Sequence, residues 1–481
     1  MPARFLLILL SLVSVLAHAE TWNDVSRLNP ETVSAVVQVR TQDDVVNALK
    51  NRSANTKVTV SGTRHSQGGH IVYPGAIVLD MTGFNRVVSV SPGDKSVIVQ
   101  SGATWAAVQE AVNPFGLAVK VMQSSNVFSV GGSLSANVHG RDPRYGPIIE
   151  TVRSIKVALA SGDLVTASRS INPDLFYAAI GGYGLLGVIL EAEIELTDNL
   201  PLTREIKKVS VDAYASIIEA QADTLALHYG RCSFVPGMSF LSECYATDFK
   251  PSGVEGRVSE LVPEKHIWRN SLVFGASRKS DWGKAIRWKL QKALVDKPGE
   301  RRVVDRNPAM QPPVRFLAYD DADDTDILQE YFVPVDQFAA FFAELKRVLE
   351  AHEVNLLSVT LRFLKANRES ILTYATDDMI AIVLYVNIDL TDASLQAAQT
   401  WTRELVDLST LHTGTYYLTY QRFPTVQQFQ TAYPRWAHFM DVKCRFDPDE
   451  VFSNAFYEQY LKQDFRRVQA DNPLAARSVC H

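Results

Sequence analysis

Several features that would mark particular protein classes are scarce or missing in this sequence of 481 residues. Lys and Arg together number 48 against 53 Asp and Glu, so the basic surplus typical of nucleic-acid-binding domains is missing. Four cysteines are too few for a small disulfide scaffold. Beyond the N-terminal region no stretch reaches about eighteen uninterrupted apolar residues, and no internal repeat is visible. The composition is that of a globular protein with two or three domains.

Familiar motifs for metal binding and nucleophilic catalysis are missing as well. The sequence contains no H-E-x-x-H, C-x-x-C or G-x-S-x-G. The acidic run at residues 320–326 lacks the glycine and the terminal glutamate of an EF-hand, so it predicts a solvated turn. We therefore expect no resident metal.

Residues 1–19 predict a secretory signal peptide. Arg4 supplies a positive charge, residues 5–17 are apolar, and Ala17-His18-Ala19 matches an A-x-A cleavage site. The alternative, a transmembrane anchor, would need roughly twenty apolar residues. We expect a secreted or periplasmic protein that begins near Glu20.

Export would allow disulfide formation. Four cysteines permit three pairings, and sequence alone does not choose among them. Cys232 and Cys244 are close enough in sequence to close a short loop, whereas Cys444 and Cys480 are expected to be unpaired or to pair late.

The periodicity of the remaining chain predicts an α+β fold. Up to residue 199, short strands such as 57–60 and 188–196 alternate with Gly-rich turns. A poorly patterned stretch then runs to about residue 313. Beyond it, strands near 331–333, 356–363, 380–388 and 415–420 alternate with helices near 335–352 and 394–408, which predicts an antiparallel sheet covered by helices on one face. The tail from residue 425 onward predicts helix.

Three segments rich in Gly and Ser carry the strongest functional signal. Residues 61–70 (SGTRHSQGGH) follow a strand directly, and residues 123–140 combine small hydroxyl side chains with glycines. Such backbone can approach a phosphate or lie against a large flat ligand. The third segment contains Gly182-x-Gly184-x-x-Gly187, but a strand follows it where the dinucleotide fingerprint requires a helix. Nicotinamide binding is therefore not expected.

In this order and spacing the three segments resemble the FAD domain of the vanillyl-alcohol oxidase/p-cresol methylhydroxylase superfamily. The most similar branch is that of the alditol, aldonolactone and decaprenylphosphoryl-ribose oxidases. The resemblance implies a two-subdomain FAD-binding (PCMH-type) domain over 29–199, a substrate (cap) domain over 200–424, and a C-terminal helical segment over 425–481 that returns to the FAD domain. The FAD-binding residues that it implies are Ser61, Gly62, Thr63, Arg64, His65, Ser66, Ser125, Ser129, Gly132, Ser135, His139, Val188 and Ile189.

The resemblance also implies a covalent link between His65 and the flavin. Relatives with two such links carry a cysteine in the second segment, and residues 123–145 contain none here. One bond through His65 is therefore expected, with a tight non-covalent site as the alternative. His70 is expected to be an ordinary loop histidine.

The implied reaction is oxidation of a CH–OH group in a sugar, polyol or related alcohol. Hydride would pass to flavin N5 while a base or a hydrogen-bond network takes the hydroxyl proton. O₂ is the expected acceptor, giving hydrogen peroxide. The alternatives are a quinone- or cytochrome-linked dehydrogenase of the same fold, and a non-catalytic protein that binds flavin or carbohydrate.

Three residues of the later domain are candidates for catalysis by the same resemblance. Glu330 falls where relatives place a substrate-binding acid, and Arg362 where they place a cation near the flavin. Tyr420 stands where the decaprenylphosphoryl-ribose oxidases have lysine, which argues against that substrate. Each has a plainer alternative: Glu330 and Arg362 as surface or ion-pair residues, and Tyr420 as a packed aromatic.

The region 265–306 is basic and contains Trp268, Trp282 and Trp288. A basic helix with tryptophans suits a membrane surface. The favoured interpretation is a solvated helical face with snorkelling side chains, so membrane contact is not the leading expectation.

Overall fold

The N-terminal part of the chain builds a small sheet. The computed structural model describes residues 20–254, 260–261, 267–295, 302–311, 319–462 and Cys480, so the predicted leader lies outside the described residues. An antiparallel hairpin of β1 (Glu20–Trp22) and β2 (Glu31–Val33) comes first. Strands β3 (Ala35–Gln38), β4 (Val58–Ser61) and β5 (Ile77–Asp80) then form a parallel sheet in the order β3-β5-β4, with helix α1 (Gln42–Asn51) after β3. Strand β4 ends where the first Gly-rich segment begins.

A six-stranded antiparallel sheet follows. Its strands are β6 (Val87–Ser91), β7 (Ser96–Gln100), β8 (Leu117–Val119), β9 (Val152–Ala158), β10 (Leu164–Ser168) and β11 (Val188–Asp198), and its helices are α2 (Trp105–Val112), α3 (Val130–Ser135) and α4 (Pro173–Ala179). The order is β10-β9-β11-β7-β6, with β8 paired to the end of β11. The fingerprint-like glycines lie between α4 and β11, so a strand follows them, as predicted.

The later domain is organised around an eight-stranded antiparallel sheet. Its strands are β12 (Pro201–Val209), β13 (Leu227–Cys232), β14 (Cys244–Pro251), β15 (Arg302–Asp305), β16 (Asp324–Pro334), β17 (Leu356–Leu364), β18 (Met379–Asp389) and β19 (Thr415–Tyr416), in the order β15-β12-β14-β13-β17-β18-β16-β19. The helices after β12 are α5 (Val211–Gln221), α6 (Ile267–Lys279), α7 (Asp281–Val295), α8 (Arg306–Ala309), α9 (Phe338–Ala351) and α10 (Asp392–Leu411). Helices α5, α9 and α10 pack on the sheet, which confirms the predicted α+β class.

Two predictions about this domain were wrong. The stretch that seemed poorly patterned supplies four strands, β12 to β15. Most of β12 is half-buried, whereas β14 is buried along nearly its whole length, so neither strand shows the alternation by which strands are recognised in a sequence. The strand predicted over 415–420 pairs only at Thr415–Tyr416. Residues 417–420 leave the sheet, and Tyr417, Thr419 and Tyr420 line an internal cavity.

The C-terminal helices are α11 (Val426–Ala432), α12 (Trp436–Phe446) and α13 (Ala455–Tyr457). Phe452 forms a bridge with Val58 and is fully buried in a small core with residues of the N-terminal sheet. Asn454 donates a hydrogen bond from Nδ2 to the carbonyl of Tyr183 at 3.0 Å. This part of the chain therefore packs against both β4 and the third Gly-rich segment.

Helix α7 buries a basic side chain and exposes apolar ones, which is the reverse of the predicted solvated charged face. Arg287 and Trp288 are buried, whereas Trp282 is 71% and Leu290 55% exposed. Arg287 turns inward because it finds a hydrogen-bond acceptor there, the Leu357 carbonyl at 2.7 Å. The basic side chain thus belongs to the interior of the domain.

Two disulfides join the four cysteines. Cys232 pairs with Cys244 across β13 and β14, as the short loop suggested. Cys444 pairs with Cys480, which contradicts the alternative that these two are unpaired. Of the helices in the described part of the chain, none combines the length and the apolar character needed to cross a membrane.

Candidate active site

A cavity of about 420 Å³ lies where the three Gly-rich segments meet the eight-stranded sheet. Most of the residues predicted from sequence line it: Gly62, Thr63, Arg64, His65, Ser66, Ser125, Ser129, Gly132, Ser135, His139, Ile189, Glu330, Arg362 and Tyr420. Ser61 and Val188 do not, since both are fully buried outside the lining. The fold therefore brings together residues that are almost 360 positions apart in the chain.

The loop at residues 62–66 offers donors to a ligand. None of its backbone N–H groups donates a hydrogen bond to another described residue. Arg64 has a left-handed backbone (φ 60°), and its guanidinium lies 3.6 Å from the centre of the Trp22 ring. A Cβ at Gly62 would lie 2.2 Å from Ser129 Oγ, so glycine permits close approach of the first two segments. Such a run of free N–H groups suits an anion.

His65 is a neutral imidazole at the edge of this loop. Its Nδ1 lies 3.2 Å from Thr63 Oγ1, and its ring meets the Phe128 ring edge-on with centroids 4.4 Å apart. Burial lowers the pKa of His65 to about 4. The ring is therefore unprotonated at neutral pH, which is the form that can act as a nucleophile.

The second segment packs tightly under the cavity. Trp105 donates from Nε1 to Ser133 Oγ at 2.8 Å, and Ser133 in turn bonds the Ser129 carbonyl at 2.8 Å. A Cβ at Gly131 would lie 2.6 Å from Ser101 Cβ. The small residues of this segment thus allow close packing against the residues beneath it and leave space for the cavity above it.

The opposite side of the cavity is the face of the large sheet that points away from α5, α9 and α10, and Phe274 of α6 and Arg287 of α7 also line the cavity there. Along β17, Val359 and Leu361 are fully buried on the helix side. Ser358, Thr360 and Arg362 alternate with them and line the cavity. The register then places Arg231, Thr360, Val383 and Glu330 in one row across β13, β17, β18 and β16.

Glu330 is held by two hydrogen-bonding groups. Its Oε1 lies 2.7 Å from His139 Nε2, and Tyr420 donates to its Oε2 at 3.2 Å. Glu330 is 2% and His139 3% exposed. Burial, together with the charge of Glu330, keeps the pKa of Tyr420 well above its usual value, so the phenol stays protonated as a donor. Glu330 is therefore buried and does not lie at the surface, and its contact with His139 has the N–O distance of an ion pair.

Arg362 belongs to the same cavity. It donates from Nη2 to Ser124 Oγ at 2.7 Å, and Arg141 donates from Nε to the same oxygen at 3.0 Å. Arg362 Nε is buried and has no partner among the described residues. The side chain therefore has unused hydrogen-bonding capacity at the cavity.

Several cavity residues were missed from sequence. Arg141 closely follows His139 and could have been included with the second segment. Tyr229 and Arg231 lie two positions apart on β13, a strand that was not predicted, and both face the cavity. Arg287 comes from α7. His70 also lines the cavity, with its ring stacked on Tyr183 at 4.8 Å, although it was expected to be an ordinary loop histidine.

The cavity residues fit an FAD. Ser66 Oγ, Ser101 Oγ and His139 Nδ1 are buried polar atoms without a hydrogen-bond partner among the described residues. Buried polar groups are normally paired, so these atoms indicate a polar ligand. Residues 62–66 would hold its pyrophosphate, and the second segment with Ile189 would contact the rest.

Comparison with known proteins gives the same assignment. Residues 33–168 match the family model of the FAD binding domain, and residues 258–461 match that of D-arabinono-1,4-lactone oxidase.

Cytokinin dehydrogenase 2 of Arabidopsis thaliana is 26% identical over 263 residues, which are 53% of this chain and 51% of that protein. Decaprenylphosphoryl-beta-D-ribose oxidase of Mycolicibacterium smegmatis is 31% identical over 34% of this chain and 37% of its own length. A putative D-arabinono-1,4-lactone oxidase of Neurospora crassa is 30% identical over 34% of this chain and 28% of its own length. The chain thus spans about half, or less, of the relatives that it matches.

Proposed function

The chain belongs to the FAD-dependent oxidoreductases of the vanillyl-alcohol oxidase/p-cresol methylhydroxylase superfamily, and from this premise we propose that it oxidises a CH–OH group of a sugar, polyol or related alcohol. The observation that carries the proposal is the buried Glu330–His139 pair in the cavity, with Tyr420 bonded to the second carboxylate oxygen. Oxidation of an alcohol requires a group that takes the hydroxyl proton, and this pair supplies one.

The chain's own residues divide the chemistry among them. Bound FAD supplies the hydride acceptor. Glu330 orients the substrate hydroxyl and receives its proton, while His139 and Tyr420 fix the carboxylate in place. Arg362 contributes a fixed positive charge in a largely buried site, where it stabilises negative charge that develops during the reaction.

Anaerobic mixing with candidate substrates tests this function. The holoprotein is mixed with sugars and polyols and, as a counter-substrate, with the cytokinin isopentenyladenine, because several relatives are cytokinin dehydrogenases. Bleaching of the flavin absorbance by an alcohol supports the proposal. Bleaching by the cytokinin alone, or by no compound in the panel, argues against it, and the second result would favour a non-catalytic binding protein.

The electron acceptor is proposed to be O₂. Relatives named as oxidases and relatives named as dehydrogenases both match the chain, so the choice needs its own measurement. After anaerobic bleaching, rapid recolouring in air with release of hydrogen peroxide is expected. Slow recolouring that a quinone or cytochrome c accelerates would instead identify a dehydrogenase.

A covalent bond between His65 and FAD, and export of the protein, complete the proposal. The neutral imidazole of His65 in the cavity lining supports the first. The two disulfides support the second, because disulfides persist in oxidising compartments. Fractionation of the native source would test export, with the protein in the periplasmic or secreted fraction as the expected result.

A further inference from the structure

Four arginines meet at one end of the cavity, away from the Gly-rich loop. Arg231 and Arg362 lie on neighbouring strands of the large sheet, Arg141 follows the second Gly-rich segment, and Arg287 reaches in from α7. Arg141 and Arg362 share Ser124 Oγ as an acceptor. The guanidinium of Arg141 lies 4.7 Å, and that of Arg231 5.7 Å, from the centre of the Tyr229 ring.

These arginines have no carboxylate partner among the residues that the structure describes. Arg287 donates to the Leu357 carbonyl, and Arg141 to Ser124 and the Ala309 carbonyl. The Nε atoms of Arg231 and Arg362 are buried without any described partner. Aromatic faces take the place of carboxylates, with Arg287 lying 4.0 Å from the centre of the Phe274 ring.

Elsewhere this protein neutralises the arginines that it buries. Arg278, on the helix before α7, bonds Asp326 with Nη2–Oδ2 at 2.5 Å, and Arg306 lies 2.9 Å from Asp142. A buried charge without a partner is costly. Unlike these two arginines, the arginine cluster has no described carboxylate to balance its charge, which suits a ligand that supplies the negative charge.

The electrostatics of the cluster agree with this interpretation. Burial, reinforced by the charge of Arg231, lowers the pKa of Arg287 to about 9. Burial also lowers the pKa of Arg141 to about 10, with Arg362 and Arg231 contributing. For Tyr229, burial acts to raise the pKa, but Arg231 and Arg141 outweigh it and the pKa is lowered. The cluster thus makes a strongly positive site, in which Arg141 and Arg287 remain protonated at neutral pH.

We propose that Arg141, Arg231 and Arg287 form a subsite for an anionic group of the substrate, a carboxylate or a phosphate ester, several bonds from the carbon that is oxidised, with Arg362 on a strand between those of Arg231 and Glu330. This inference rests on the proposed alcohol oxidation, because it takes Glu330 as the reacting end. Arg231 and Glu330 occupy the same row of the sheet and are separated by three strand spacings, roughly 14 Å at the backbone. Arginine forks recognise both anions through paired hydrogen bonds.

Three compounds with one six-carbon skeleton test the subsite. D-sorbitol is neutral, D-gluconate carries a carboxylate, and D-sorbitol 6-phosphate carries a phosphate ester. Anaerobic titration of the holoprotein, followed by flavin absorbance and by calorimetry, gives a dissociation constant for each. One of the anions is expected to bind about 10- to 100-fold more tightly than sorbitol, and which one does so identifies the group.

Variants then locate the effect. Arg231→Gln and Arg287→Gln are each expected to weaken anion binding about 10-fold or more and to leave sorbitol binding unchanged. Arg347→Gln, on the solvent side of α9, is the matched control and is expected to bind like the wild type. FAD content is measured in every variant, because its loss in Arg231→Gln would assign the cluster to the cofactor and overturn the proposal.

The two proposals fail separately. Equal affinity for all three compounds in the wild type and in Arg231→Gln would remove the subsite, even if an alcohol still bleaches the flavin. Tight anion binding that depends on Arg231 while no alcohol bleaches the flavin would remove the alcohol oxidation and keep an anion site. Calorimetry with inorganic phosphate gives a readout that needs no turnover, and binding lost in Arg231→Gln is the expected result.

Discussion

His139 Nε2 lies 2.7 Å from Glu330 Oε1, although the two residues are 191 positions apart in the chain. His139 ends the second Gly-rich segment, and Glu330 is a cavity-facing residue of β16. The bond therefore joins the part of the cavity that fits FAD to the part that is proposed to hold the substrate. Both side chains are almost completely buried, so their geometry is fixed by the packing of the two sheets.

Replacing Glu330 tests its role in proton transfer. Glu330→Gln keeps the size and a hydrogen bond to His139 or Tyr420 but removes the proton acceptor. We expect the rate of anaerobic flavin bleaching to fall about 100- to 10,000-fold, the usual contribution of a positioned base. Stopped-flow absorbance measures this rate. Glu404→Gln, at an exposed carboxylate, is the control, and an unchanged rate in Glu330→Gln would exclude this residue as the base.

Replacing His65 tests the covalent link. The wild-type protein, precipitated with acid, is expected to keep its yellow colour, and His65→Ala is expected to release the flavin to the supernatant. His352→Ala, at a partly exposed histidine bonded to Glu404, should behave like the wild type. Colour released by the wild type itself would leave FAD binding in place and replace the covalent bond with a tight non-covalent site.

The Gly-rich loops of the site were predicted from the residues themselves, because local backbone requirements fix residue types there, whereas Glu330, Arg362 and Tyr420 were expected from the family resemblance and also line the cavity. Gly62 and its neighbours sit on one loop directly after β4, so the ligand-facing side of that loop is visible in a short stretch of sequence. Arg231 could not be found in this way. Its place in the cavity depends on the register of β13 with β17, a pairing across more than a hundred residues, and β13, which contains His228, Gly230 and Arg231, is too mixed in polarity to be recognised.

The burial of Arg287 in helix α7 was not predicted for a related reason. Its basic residues look like a solvated face when the helix is considered alone, but the interior of this domain is polar and accepts Arg287. Hydrophobic patterning assumes an apolar interior. Hydrophobic patterning is therefore least informative for a helix or strand that borders a charged cavity. Helix α7 is such an element, because it borders the proposed anion subsite.

Acidification is expected to destabilise the protein through its buried histidines. Burial, reinforced by the charge of Arg422, lowers the pKa of His70 to about 3. In the unfolded chain its pKa is near 6.5. The unfolded state therefore binds the proton first as the pH falls, so the stability present above about pH 6.5 decreases down to about pH 3.

His70 alone would contribute roughly 3–5 kcal/mol of this loss, and His228, whose pKa burial also lowers, acts in the same direction. Urea unfolding of the holoprotein at pH 7 and pH 5 measures the trend. His70→Phe keeps a ring against Tyr183 and is expected to reduce the pH dependence, whereas the control His352→Phe should not. Equal pH dependence in His70→Phe and the wild type would show that His70 is not the titrating group.

The two disulfides are expected to differ in their contributions to the free energy of unfolding. Cys232–Cys244 closes a loop of 12 residues and Cys444–Cys480 one of 36. A cross-link lowers the entropy of the unfolded chain more when its loop is longer, which gives about 3 and about 4 kcal/mol respectively. The paired serine substitutions, Cys232→Ser with Cys244→Ser and Cys444→Ser with Cys480→Ser, measure each contribution by guanidinium unfolding. A reductant should destabilise the wild type and leave the protein lacking all four cysteines unaffected; a wild type insensitive to reductant in the unfolding transition would contradict this pairing.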